Sequence, residues 1–165
     1  MGSAYEIGIN RFYAVLADLG AVPTFSWLAP DRHAGTRNYA VREAGEWVER
    51  ATSPNAIVQF NPHVAAQNTS ALLYFARPAL AANESCLSTF GGDPALCPAL
   101  ISELNRIYPP AGQIAAPDLN GVCHALPISL IAASDTDAAW SDHRSWVWTQ
   151  APVFANSYVR LFRCR

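Results

Sequence analysis

Two carboxylates one residue apart, Asp135-Thr136-Asp137, directly follow the apolar run at 127–134. Hard oxygen ligands at i and i+2 can share a divalent cation held against a diphosphate. The same pair at the end of a strand also caps a turn, because a short carboxylate accepts nearby backbone N–H groups. A second polar group, Asn61-Pro62-His63, follows the apolar run at 56–60. In an open α/β sheet, ligands sit beyond the carboxyl ends of the strands. Asn61, His63 and Asp135 therefore converge on one pocket if the two runs are parallel neighbours. Otherwise Asn61-Pro62 is a turn and His63 a surface residue. Beyond the carboxylates, Trp140, Trp146 and Trp148 offer an aromatic platform for a sugar ring, or anchor the core as indoles commonly do. Asn61, His63, Asp135, Asp137 and Trp140 form the candidate ligand-binding set.

Other chemistries find less support. No G-x-S-x-G sequence presents a serine nucleophile. Gly91-Gly92 lies in no G-x-G-x-x-G pattern between a strand and a helix, which argues against dinucleotide binding. His33, His124 and His143 lack metal-ligand spacing, and Asp142-His143 is an isolated pair. Cys123 and His124 are adjacent in sequence, whereas a catalytic pair meets in space. All 11 basic residues are Arg, which excludes a nucleophilic, Schiff-base or phosphate-binding lysine. A formal charge of −2 with scattered Arg gives no basic face for nucleic acid. Asn68-Thr69-Ser70 and Asn83-Glu84-Ser85 are formal sequons, meaningful only in a eukaryotic secretory host. No catalytic residue, metal-ligand set or cofactor is assigned.

The positioning elements follow from patterning. A chain of 165 residues suits one domain with a real core. Only 15% of it is charged, against about 25% in an ordinary globular domain, which suits a surface resting on a partner or membrane. Tyr5, Ile9, Phe12, Leu16 and Leu19 predict a helix over 4–19, and an extended lead-in runs to 35. Further helices are predicted at 38–52, 64–75 and 94–107. Inner strands are predicted at 56–60, 79–83 and 128–133, with a hairpin at 151–164 turning at Asn156-Ser157. The fold class is α/β: a layered, Rossmann-like domain with a small, mostly parallel sheet, a C-terminal antiparallel hairpin and about four covering helices.

The uncharged run at 51–76 is broken by Pro54, Asn61, Pro62 and His63, so no membrane span is expected. The first residues lack the pattern of a signal peptide. The four cysteines allow two disulfides in three connectivities, or four free thiols in a reducing compartment. The favoured pairing is Cys86–Cys97, closing a Gly/Ser-rich loop, with Cys123–Cys164. It places the chain in an oxidising compartment.

Three segments carry a resemblance. The first runs from Arg37-Asn38-Tyr39-Ala40 through Trp47-Val48 to Ser53-Pro54-Asn55-Ala56-Ile57-Val58-Gln59-Phe60-Asn61-Pro62. The second is Leu130-Ile131-Ala132-Ala133 with Asp135, Asp137 and Trp140. The third is Pro152-Val153-Phe154-Ala155-Asn156-Ser157-Tyr158-Val159-Arg160-Leu161-Phe162-Arg163. Together they resemble the soluble extracytoplasmic C-terminal domain of bacterial multi-spanning membrane proteins of the GT-C glycosyltransferase type. There a helix, a T-P-x-D/N-A-V-V strand and a final P-V-F-x-N-x-x-Y-R-L-Y-R hairpin recur. The likeness covers 36–62 and 127–164. It implies a polyprenyl-phosphate-linked sugar donor and transfer on the outer face of the membrane. It places the catalytic carboxylates in loops between membrane spans that have no counterpart here, so no catalytic residue is carried over. The implied role is a non-catalytic periplasmic or outer-face accessory domain. Its implied partners are the membrane-embedded part of the parent protein and a glycan or lipid-linked sugar. The competing readings are a small soluble metal-dependent sugar-nucleotide transferase using Asp135 and Asp137, and a plain protein-interaction module.

Overall fold

The computed structural model describes residues 33–64, 74–86, 93–110 and 118–164. Ala40, Ala44 and Val48 recur every four residues with Val41 beside them, and all four are buried on one face of helix α1 (His33–Ala51). The helix begins earlier than its sequence-predicted start, and Ala51 at its end is exposed. At Gly45 the chain at Tyr74 comes so close that a Cβ would overlap the Tyr74 carbonyl oxygen. A turn closed by the Ala56 N–H on the Ser53 carbonyl (3.0 Å) leads to strand β1 (Val58–Gln59).

The sheet also contains β2 (Leu130–Ser134), β3 (Phe154–Ala155) and β4 (Val159–Arg163), in the order β1-β2-β4-β3. β1 runs parallel to β2, with Val58 opposite Leu130. β2 and β4 are antiparallel, with Ile131 opposite Phe162, and β3 adds antiparallel to β4 at the edge. The sheet is mixed, not mostly parallel.

The difference arises at 79–83, where no strand forms. The Val58 N–H donates to the Pro78 carbonyl at 2.9 Å, and there the backbone pairing stops. The Gln59 side chain continues it. Its Oε1 accepts from the Leu80 N–H at 3.0 Å and the Ala81 N–H at 3.1 Å, and its Nε2 donates to the Ala81 carbonyl at 2.7 Å. A side-chain amide thus supplies the hydrogen bonds that a neighbouring strand would have made.

Side chains alternate across the sheet. Leu130, Ala132, Val159 and Leu161 pack with Val58, Phe60 and Phe75 against α1. Ile131, Ala133 and Phe162 pack on the other side with Leu104, Ile107, Tyr108, Val122 and Trp146. All five residues of β2 are buried, as a strand covered on both faces requires.

Among the described residues, the second layer holds four short helices: α2 (Cys97–Leu104), α3 (Leu119–Ala125), α4 (Ala138–Ser141) and α5 (Trp146–Thr149). α2 is shorter than the predicted 94–107 because Pro98 sits in its first turn, where a missing N–H is tolerated. α3 has no counterpart in the sequence reading. Gly121 disfavours a helix there, but the Asp118 carboxylate caps it by accepting the Gly121 N–H at 2.8 Å. The helix predicted at 4–19 lies outside the described residues, as does that at 64–75 except for its ends.

Both favoured disulfides form, with Cα–Cα distances of 5.7 Å for Cys86–Cys97 and 5.1 Å for Cys123–Cys164. The hairpin tip is held by Asn156, whose Oδ1 accepts the Val159 N–H at 2.8 Å. Its Nδ2 donates to the Ala40 carbonyl on α1, also at 2.8 Å. Among the described residues, no helix is long and apolar enough to cross a membrane.

Candidate functional site

Because β1 and β2 are parallel neighbours, Asn61 and the Asp135-Thr136-Asp137 turn emerge at the same end of the sheet. There Asn61 meets Asp137, 76 residues away. Its Nδ2 donates to Asp137 Oδ1 at 2.7 Å. The second oxygen, Oδ2, accepts the Ser134 N–H at 2.7 Å. Asn61 and Asp137 are only 6% and 3% exposed, and Asn61 Oδ1 accepts the His63 N–H at 2.9 Å. The pair clasps the ends of both strands. It also starts α4, where the Trp140 N–H donates to the Asp137 carbonyl at 2.9 Å.

Asp135 goes elsewhere. The Arg37 guanidinium on α1 donates to it through Nε at 3.0 Å and through a terminal nitrogen at 2.7 Å. This two-pronged pair is part-buried and joins the turn after β2 to α1. The two carboxylates therefore have different protein partners. Among the described residues, no group of three His, Cys, Asp or Glu side chains gathers to hold a metal ion.

His63 leaves the Asn61 group sideways. Its Nδ1 lies 2.5 Å from Glu84 Oε1 and its Nε2 lies 2.7 Å from Asn105 Oδ1. The ring is 12% exposed and Glu84 67%, so the contact links the turn after β1 to the segment before Cys86 and to the end of α2.

Beneath the turn, the buried Tyr108 hydroxyl reaches the Ala132 carbonyl at 2.5 Å and the Gln59 carbonyl at 3.1 Å. Burial pushes its phenol well above the ordinary tyrosine range, and the nearby Asp137 charge adds to the effect. Tyr108 thus stays a neutral donor bracing the two parallel strands.

The three tryptophans divide. Trp146 is buried, with its ring 4.9 Å from Phe162 and 6.2 Å from Tyr108. Trp140 and Trp148 are half-buried and meet edge to face at 5.3 Å, with Trp148 Nε1 donating to the Trp140 carbonyl at 2.8 Å. The Arg160 guanidinium lies 3.8 Å over the Trp148 ring. Of the five candidate residues, Asn61 and Asp137 meet side chain to side chain, and His63 and Trp140 join them through their backbone N–H groups. The Asp135 carboxylate and the His63 and Trp140 rings have other partners. Arg37, Glu84, Asn105, Tyr108 and Arg160 carry no local sequence signal that would have singled them out.

No protein-family model matches the chain, and neither a curated protein nor a solved structure matches it.

Proposed function

We propose that this chain is a non-catalytic extracytoplasmic accessory domain of an integral-membrane glycosyltransferase-like protein. It rests against the membrane-embedded part of its parent and contacts a glycan or a lipid-linked sugar. The observation that carries this reading is spatial. The segments that bear the resemblance supply most of α1 and all four strands, so separate stretches of sequence become one continuous sheet and its covering helix. The two disulfides lend weaker support, since such bonds persist in oxidising compartments. The layering on both faces of the sheet fits a Rossmann-like arrangement, here with an antiparallel hairpin at one edge.

The non-catalytic part of the reading is supported by the engagement of Asp135, Asp137 and His63 with protein partners. The test is fractionation of the source cell with an antibody raised against this chain. The antigen should resist alkaline extraction from membranes and be cleaved by protease added outside the membrane. A soluble antigen inside the cell overturns the proposal. Manganese and a sugar nucleotide should give no binding heat with the isolated chain. Heat that vanishes in an Asp137→Ala chain that still folds moves the reading to a soluble sugar-nucleotide transferase.

A further inference from the structure

Arg77 and Arg160 are both half-buried and pair with no carboxylate among the described residues. Arg77 donates to the Thr52 hydroxyl and to three backbone carbonyls, whereas Arg160 leaves a guanidinium nitrogen without an acceptor. Among the described residues, Arg37 pairs with Asp135 and Arg106 with Glu103, but no carboxylate pairs with Arg160. Its guanidinium is held instead by the Trp148 ring at 3.8 Å and by one terminal nitrogen on the Val147 carbonyl at 3.3 Å. Its Nε is covered by protein and meets no acceptor. Stacking on an indole offsets part of the cost of removing this cation from water, without neutralising it. A planar guanidinium fixed in this way needs little reordering to receive a carboxylate or phosphate.

The neighbouring ring defines the rest of the ligand. Trp148 meets both the Arg160 guanidinium at 3.8 Å and the His143 ring at 4.8 Å, while Arg160 lies farther off over Trp140, which therefore has more room for an apolar surface. The Arg160 carbon lies 5.9 Å from the centre of that ring. A pyranose packs its C–H face on an aromatic ring at a contact distance of about 4 Å. A saccharide on Trp140 would then carry a charged substituent within hydrogen-bond reach of Arg160. We propose that Trp140 and Arg160, backed by Trp148, form a subsite for a negatively charged saccharide, a sugar ring bearing a carboxylate or a phosphate. The choice of a saccharide rests on the accessory role proposed above. The demand for negative charge stands on the geometry of Arg160 alone.

The test is a titration of the nitrogen-labelled chain, following the indole N–H signals. Four probes are used: a hexuronate trisaccharide, glucose 1-phosphate, a neutral glucose trisaccharide and inorganic phosphate. A charged sugar should move the Trp140 and Trp148 signals to saturation. Neutral sugar and inorganic phosphate should bind at least about tenfold more weakly, a difference of about 1.4 kcal/mol. Arg160→Gln should abolish that preference and leave the neutral sugar unchanged. Preference for the hexuronate assigns an acidic acceptor glycan, and preference for glucose 1-phosphate assigns a phosphate-linked donor. Equal responses to charged and neutral sugars overturn the subsite, as does inorganic phosphate matching the sugar phosphate, or no movement of these signals. If Arg160→Gln fails to fold, the four-probe comparison on the unaltered chain still decides. A membrane-integral parent whose domain ignores charged sugars sinks the subsite and leaves the accessory role standing.

Discussion

At the scale of single residues, Asp137 offers the sharpest test of what the polar group at the strand ends does. Both its oxygens accept hydrogen bonds from buried donors, the Asn61 amide and the Ser134 N–H. Asp137→Ala leaves both donors unpaired and should destabilise the chain by about 3 kcal/mol. Asn61→Ala should cost less, and the double variant should cost less than the two single losses together, because the residues share one interaction. Urea unfolding midpoints of the three variants check this. An Asp137→Ala chain with an unchanged midpoint would show that the carboxylate has no structural role. Tyr108 gives a second test, in pH. Its folded-state value is raised, first by burial and then by the Asp137 charge. Below the ordinary tyrosine value of about 10, phenol is neutral in both states and its contribution to stability is fully present. As pH rises past that value the unfolded chain ionises first, and the contribution is lost on the way to the raised folded value. The native chain should therefore lose stability about 1.4 kcal/mol per pH unit faster than Tyr108→Phe above pH ~10. Unfolding free energies measured from pH ~9 to ~11 test the difference. Parallel curves would show that Tyr108 ionises freely when folded.

At the scale of elements, Gln59 explains why one predicted strand is missing. Residues 79–83 are short and apolar enough to suggest a strand, yet β1 meets them mainly through a side chain. Gln59→Leu should cost about 3 kcal/mol, because the Leu80 and Ala81 N–H groups lose their acceptor. Amide exchange at Leu80 and Ala81 should speed up about 100-fold. Were those amides held by a backbone ladder, the substitution would leave their protection intact. This element also marks the limit of what the sequence made legible. α1, β1, β2 and the hairpin announce themselves by apolar period or by a turn residue such as Asn156, since local chemistry decides them. The role of Gln59 does not, because a buried glutamine in a strand has no period to betray it. α3, with Gly121 in its first turn, depends on the Asp118 cap and on burial of Val122 and Cys123. The site follows the same division. Parallel pairing of the two apolar runs brought Asn61 to the turn after β2, but to Asp137 and not to Asp135. The expected meeting of Asn61, His63 and Asp135 does not form, because Arg37 holds Asp135 and Glu84 and Asn105 hold the His63 ring. The Arg37–Asp135 contact spans 98 residues and leaves no local trace.

At the scale of the whole molecule, the disulfides connect stability to the proposed location. Cys86–Cys97 closes a separation of 11 residues and Cys123–Cys164 one of 41. By loop-closure entropy these limits on the unfolded chain stabilise the fold by about 3 and about 4 kcal/mol. The total stability of a domain is only about 5–15 kcal/mol, so the two bridges are comparable to all of it. The longer bridge ties α3 to the end of β4, where the Cys164 N–H also donates to the Ser129 carbonyl at 3.0 Å. Cys123→Ser with Cys164→Ser should therefore lower the urea midpoint more than Cys86→Ser with Cys97→Ser. A reducing agent should lower it further than either pair of substitutions. If reduction removes that much stability, the fold depends on an oxidising compartment, which is how the bridges bear on the proposed extracytoplasmic role. If the fully reduced chain keeps its unfolding midpoint, the bridges are dispensable. The fold would then survive in a reducing cytoplasm, and the proposed location would rest on the sequence resemblance alone.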